Sequence, residues 1–303
     1  MRTISYIRTS PGSACSMGGV TYWRETIGER LMGLLEGDLV LDLHEGGRNR
    51  REIVRYPVRK EKADIAYCEL FDIPDERPGD FVFGIISDFL GMEEELEYWL
   101  GEVHPNVLFA LQYWRDDLVE LCGRYGCRVV RFPWFVETRE PYNPDKTLLV
   151  FMSGMIGPAY PARTSMAKVL SSLKNNTPDN SEIVVEMTDS HHAYQLTLDQ
   201  YRENLRRSRF VASTGVYDIQ IPPKHYEICN YGACLISPFI AHMDEVGFVD
   251  GETFLAVKNP LHILEHLRAG EFETIAKAGQ RMVQERHTIG VRAATIMEEY
   301  RRG

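Results

Sequence analysis

Apolar residues recur along the chain in two alternating patterns, short buried runs and longer stretches at helical spacing. Ile4–Ile7 is a short apolar run, and Ser10–Gly19 after it is rich in small residues. Trp23, Ile27, Leu31 and Leu34/Leu35 then repeat at helical spacing from about Thr21 to Glu36, and Gly37 stops them. Leu39–Leu43 follows as a buried strand. Strand, glycine loop, helix and strand in this order open a doubly wound parallel sheet. The alternation predicts further strands over Ile53–Val58, Ile65–Leu70, Phe81–Ile86, Val107–Leu111 and Cys127–Val130. Helices are predicted over Met92–Val103 and Asp116–Tyr125.

The pattern then breaks. Residues 137–146 are polar, hold Pro141 and Pro144, show no periodicity and read as a linker. Beyond them, strands are predicted at Leu148–Met152, Ile183–Met187, Phe210–Ala212 and Cys234–Ser237. They alternate with helices at Arg163–Leu173, Leu198–Arg207 and Lys224–Asn230. Helices at about Pro260–Leu267, Phe272–Gln284 and Ile289–Tyr300 complete the chain. The expected architecture is α/β: two Rossmann-like domains, 1–140 and 146–303, with the default site in a cleft between them. The terminal helix is expected to pack back toward the first domain.

Length agrees with this division, since 303 residues suit two domains. A composition of 44% hydrophobic and 26% charged residues excludes wholesale disorder. The net charge is −10, of which residues 1–145 carry −9 and residues 146–303 carry −1. That balance makes nucleic acid an unlikely partner. The longest apolar stretch, Phe81–Met92, is short and interrupted by Asp88, and Met1–Ser5 leads into no apolar signal region. Six cysteines without a C-x-x-C pair point to buried free thiols, hence to a reducing, cytoplasmic setting. The basic run from Arg48 to Lys62 reads as a solvated face, or as a contact for an anionic acceptor or a membrane surface, peripheral at most.

Several chemistries lack their signature. The sequence contains no G-x-x-x-x-G-K-[ST], no G-x-G-x-x-G, no H-E-x-x-H, no G-x-S-x-G and no D-x-D. Polar residues concentrate instead in 201–240, from Tyr201 through Ser213-Thr214-Gly215 to Pro222-Pro-Lys224-His-Tyr226-Glu227 and Gly232-Ala-Cys-Leu-Ile. There a strand ends in a polar loop and prolines open a helix with Lys224 and Glu227 in its first turns. A helix N-terminus favours an anion, and a lysine adds a point charge for a phosphate. A carboxylate one turn on can accept two hydrogen bonds from a vicinal diol such as ribose.

This segment closely resembles the donor half of sugar-nucleotide glycosyltransferases of the two-domain GT-B fold, in which a helix bearing (Arg/Lys)-x-x-Glu precedes a Gly-Ala/Cys-strand element. Gly251-Glu-Thr-Phe-Leu-Ala-Val, Ala278-Gly279-Gln-Arg281 and His287-Thr288-Ile-Gly-Val-Arg292-Ala293 extend the similarity, and the last looks like the spore-maturation (CgeB-like) branch. Gly18-Gly19 and His104-Pro105-Asn106 match the N-terminal half more weakly. The resemblance implies transfer of a sugar from a nucleoside-diphosphate sugar to a hydroxyl of a saccharide or other acceptor, with no metal or other cofactor required. It implies donor contacts at Gly18, Gly19, Gly154, Arg163, Tyr194, Thr214, Gly215, Lys224, Tyr226 and Glu227, and places the nucleobase near His191, His192 and Tyr194.

The catalytic base should stand at a strand end of the first domain, where Asp88 and His44 both qualify. One departure matters. The large retaining family has a second glutamate, and the position eight before Glu227 is Ile219. A non-catalytic interaction protein on a degenerate fold, and a transferase acting on modified DNA bases, therefore stay open at this point.

Overall fold

Strands in the first half of the chain pair in parallel wherever they are neighbours in a sheet. They are β1 (Thr3–Ser10), β2 (Asp38–Glu45), β3 (Val54–Tyr56), β4 (Ala63–Cys68), β5 (Asp72–Pro74), β6 (Gly79–Ile86), β7 (Val107–Ala110) and β8 (Arg128–Arg131). Six of them form one parallel sheet in the order β2-β1-β4-β6-β7-β8, and β3 pairs with β5. Helices α1 (Glu93–Val103) and α2 (Asp116–Arg124) separate the later strands. The computed structural model describes residues 3–10, 34–35, 38–45, 54–56, 63–68, 72–86, 93–111, 115–158, 160–177, 182–188, 196–215, 220–269 and 271–303. The helix expected over Thr21–Glu36 and most of the basic run Arg48–Lys62 lie outside them.

A parallel sheet is covered on both faces, which is why its strands read as continuous apolar runs. An aromatic row crosses the first sheet: Tyr67 and Phe83 rings lie 5.5 Å apart, Phe83 and Phe109 5.5 Å, Phe109 and Phe132 4.7 Å. Trp99 of α1 is fully buried, and a Cβ at Gly84 would meet its ring at 2.8 Å, so β6 carries a glycine beneath it.

The second sheet, also parallel throughout, has the order β10-β9-β11-β12-β13, with β9 (Leu148–Met155), β10 (Ile183–Thr188), β11 (Ser208–Ala212), β12 (Cys234–Ser237) and β13 (Leu255–Ala256). Helices α3 (Pro161–Asn176), α4 (Leu198–Arg207) and α5 (Pro223–Asn230) alternate with them, and α6 (His262–Ala269), α7 (Glu273–Arg286) and α8 (Ile289–Arg302) follow. Alternation along β9 divides its side chains. Val150 and Met152 join a core with Met166, Ala167 and Leu170 of α3, while the ring of Phe151 packs on Tyr201 of α4. Among the described residues, no helix is long and apolar enough to cross a membrane.

The chain divides into two compact units, Met1–Pro133 with Ile289–Gly303, and Trp134–Thr288. The last helix thus belongs with the first unit, and the second ends at Thr288 instead of at 303. The reason is local to α8. Tyr300 sets an edge on Phe81 at 5.7 Å, and buried Glu299 pairs with Arg128. Arg292 Nε donates to Pro133 O at 2.7 Å.

The polar stretch read as a hinge is docked on the second unit. Asn230 Nδ2 donates to Thr138 O (3.0 Å), and the amides of Gln280 and Gln284 donate to Glu140 O (3.0 and 2.7 Å). Lys146 is buried, with Nζ donating to Arg206 O at the end of α4 (3.0 Å) and to Tyr231 O just past α5 (3.2 Å). One cation thereby closes two helix C-termini, where the macrodipole is negative. Burial and the nearby Arg206 charge lower its pKa to about 8.

Lys146→Met keeps the stem but leaves Tyr231 O without this donor. The expected loss is about 1–3 kcal/mol, the cost of a buried group deprived of its partner. Urea unfolding monitored by far-UV circular dichroism checks it, and an unchanged midpoint contradicts the assignment.

Candidate functional site

Strand order in the second sheet reverses at β9, which has β10 on one side and β11 on the other. In open α/β sheets, ligands lie outside the carboxyl ends of the strands at such a switch point. Here those ends are Ser153-Gly154-Met155 of β9 and Ser213-Thr214-Gly215 just after β11. Gly154 has φ +144°, a conformation that glycine alone adopts freely, and a Cβ there would stand 3.3 Å from Arg163 Cδ. The turn leads into α3, which opens at Pro161 without a side-chain cap; α5 opens at Pro223 in the same way. Uncapped helix starts leave N–H groups that can serve an anion.

Two cations converge on this edge. Arg163 donates to Met155 O (3.1 Å) and Thr214 O (3.0 Å), with its guanidinium over the Tyr160 ring at 4.6 Å. Lys224 Nζ donates to Ser153 O (2.8 Å) and Ser153 Oγ (3.1 Å). Backbone oxygens thus hold both groups at the strand ends. Burial and the Arg163 charge lower the Lys224 pKa to about 8, against the pull of Glu227. Glu227, one helical turn on, accepts from Tyr201 Oη at 2.7 Å.

His225 is buried and neutral, its pKa lowered to about 3 by burial and by the charges of Arg163 and Lys224. Its Nε2 lies 3.4 Å from Ser237 Oγ, which donates to Pro238 O. Among the described residues, Thr214 Oγ1 and His225 Nδ1 are buried polar atoms with no hydrogen-bond partner, and both belong to residues on this edge. Gly215 follows Thr214 there, half-buried.

Gly154, Arg163, Thr214, Gly215, Lys224 and Glu227 therefore share the carboxyl edge on which the sequence placed the donor. Tyr226 does not join them. Its ring is buried 5.1 Å from Phe248 and 5.0 Å from His287, because it turns away from the face shared by positions 224 and 227. Gly18, Gly19, Asp88, His191, His192 and Tyr194 lie outside the described residues. His44 does not follow its strand, since β2 runs on to Glu45; it is paired with Thr9 of β1. Sequence reasoning missed Ser153 and Tyr201 as partners of the site. Tyr201 was within the motif-rich segment, but its contact with Glu227 spans 26 residues and leaves no local pattern.

Residues 159–298 match the family model described as Glycosyl transferase-like. No curated protein sequence matches the chain. Among solved structures, similarity to TarM has a TM-score of 0.55 at 11% identity over 78% of this chain and 54% of TarM. The chain thus spans about half the length of that relative. HepE from Anabaena, in complex with UDP and glucose, gives 0.56 at 8% identity over 98% of this chain and 99% of HepE. Sucrose-phosphate synthase from Thermosynechococcus elongatus gives 0.58 at 10% over 100% and 99%. These likenesses show the GT-B fold, with two Rossmann-like units.

The lowered pKa of Lys224 sets a pH dependence. The lysine is charged below about pH 8 and loses its proton as pH rises through that value. Anion affinity is then full below pH 8 and falls above it, until the higher pKa of the anion-bound form is passed. Sulfate, whose charge is constant in this range, should bind several-fold more weakly at pH 9 than at pH 7. Lys224→Arg should remove most of the dependence, because arginine stays charged. Calorimetric titration with sulfate measures both, and a flat wild-type profile removes Lys224 from the anion site.

Proposed function

We propose that the chain is a glycosyltransferase that moves a sugar from a nucleoside-diphosphate sugar to an acceptor hydroxyl, in a cytoplasmic setting and without need of a metal. The observation that carries this reading is the convergence of Arg163 and Lys224 on the carboxyl ends of β9 and β11, beside the carboxylate of Glu227. Two fixed cations suit a diphosphate, and a carboxylate one turn away suits the ribose diol. UDP as the nucleotide is supported by the UDP held in the HepE structure. The ending His287-Thr288-Ile-Gly-Val-Arg292-Ala293 supports the CgeB-like branch within the fold.

In the reaction, the bond between the anomeric carbon and the diphosphate oxygen breaks, and the electron pair leaves with the diphosphate. The acceptor oxygen bonds to the anomeric carbon and gives its proton to a base. Arg163 and Lys224 stabilise charge as it develops on the leaving oxygen, which is the step where preorganised cations contribute most. The base belongs to the first unit in this reading, with His44 and Asp88 as candidates.

Ile219, in place of a carboxylate eight residues before Glu227, favours a second reading, a non-catalytic interaction protein on a degenerate fold that takes no nucleotide donor. A thermal-shift screen of UDP-, GDP- and dTDP-sugars, followed by detection of released nucleotide with a panel of saccharide acceptors, separates the two. Stabilisation with turnover supports the transferase; no stabilisation by any donor leaves the second reading. For the site itself, Glu227→Ala should lose one or two charge-assisted hydrogen bonds of roughly 1.5–3 kcal/mol each. That corresponds to about 10-fold or more in nucleotide affinity. Unchanged affinity by calorimetry in a folded Glu227→Ala protein removes the ribose assignment.

A further inference from the structure

We propose that Tyr201 is the positioning residue of this site, a single side chain that orients the Glu227 carboxylate and seats the Lys224 ammonium. The inference rests on the donor-site reading above and extends it to a residue on a different helix.

Three contacts meet on this tyrosine. Its hydroxyl donates to Glu227 Oε2 at 2.7 Å. Its ring lies 5.2 Å from Lys224 Nζ and packs at 6.0 Å on Phe151, which is buried in the central strand β9. The same phenol therefore touches the anion, the cation and the sheet. A carboxylate has about four lone-pair positions, and one neutral donor on Oε2 fixes its plane while leaving the other oxygen open to a diol. A tyrosine does this without cancelling the charge, as an arginine or lysine in the same place would. Under Lys224, the ring face favours the ammonium form that burial opposes.

The helix start holds Tyr201 in place. Thr197 and Gln200 form a reciprocal cap at the beginning of α4: Gln200 N donates to Thr197 Oγ1 (3.2 Å) and Thr197 N donates to Gln200 Oε1 (2.9 Å). Tyr201 N donates to Thr197 O at 2.9 Å, the first intrahelical bond after that cap. The cap fixes where α4 begins, and so the direction in which position 201 points. With its rotamer limited by Phe151, the hydroxyl has little freedom left, which is the requirement for a group that orients another.

The test uses ribose discrimination, which a merely structural role does not move. Affinities for UDP and 2′-deoxy-UDP, and for GDP and 2′-deoxy-GDP, are measured by calorimetry on the full chain, with sulfate as a probe of the cations alone. The wild type should prefer the ribose form of its nucleotide by about 10-fold, the worth of one hydrogen bond to a charged group. Tyr201→Phe keeps the ring on Phe151 and under Lys224, so sulfate affinity should be unchanged while the ribose preference narrows several-fold. Tyr201→Leu removes the ring as well, and sulfate affinity should then fall. Glu227→Gln separates the two levels of the argument. If it abolishes the preference while Tyr201→Phe leaves it intact, the positioning role is wrong and the donor reading stands. A preference that survives Glu227→Gln, or is absent from the wild type, removes the ribose clamp and this inference with it.

Discussion

The carboxyl end of a parallel strand finishes in carbonyl oxygens that no further ladder serves, and in the second unit two cations take them up. Ser153 O, Met155 O and Thr214 O accept from Lys224 and Arg163. Most of what distinguishes this edge follows from that arrangement. Backbone oxygens fix both side chains in place at the strand ends. Glycine suits position 154 because of its φ of +144°, and Arg163 Cδ would stand 3.3 Å from a Cβ there. Partial positive charge at the uncapped starts of α3 and α5 adds to the same field.

A cluster of like charges is costly to bury, and the lowered pKa values of Lys224 and His225 record that cost. Folding does not select for such a cluster, since an apolar edge would pack at least as well. Strain of this kind gathers where a ligand of opposite charge relieves it. Thr214 Oγ1 and His225 Nδ1 point the same way, as buried polar atoms without a hydrogen-bond partner among the described residues.

Much of this was legible in the sequence, for reasons that are local. Helical spacing marked α4 at its observed bounds, and the strand Cys234–Ser237 stood out as an apolar run between a glycine and a proline. Lys224 and Glu227 share a helix face by a spacing of three, which a sequence displays directly. What was hidden is long-range. The Tyr201–Glu227 bond joins two helices across 26 positions of chain, and Tyr226 looked like its neighbours in the motif although its side chain turns into the core. The terminal helix follows from periodicity and is expected to return to the first domain, as it does; its particular partners, Phe81 and Arg128, leave no local pattern.

Residues 137–146 carry a different lesson. Asn230, Gln280 and Gln284 bind the main-chain oxygens of Thr138 and Glu140, not their side chains. The path of the segment is thus constrained through its main chain, and the side chains of Glu140, Asn143 and Lys146 add ties to Arg206. Insertion or deletion of one residue shifts both carbonyls away from their donors. Among relatives, this segment should keep its length even where its remaining side chains differ.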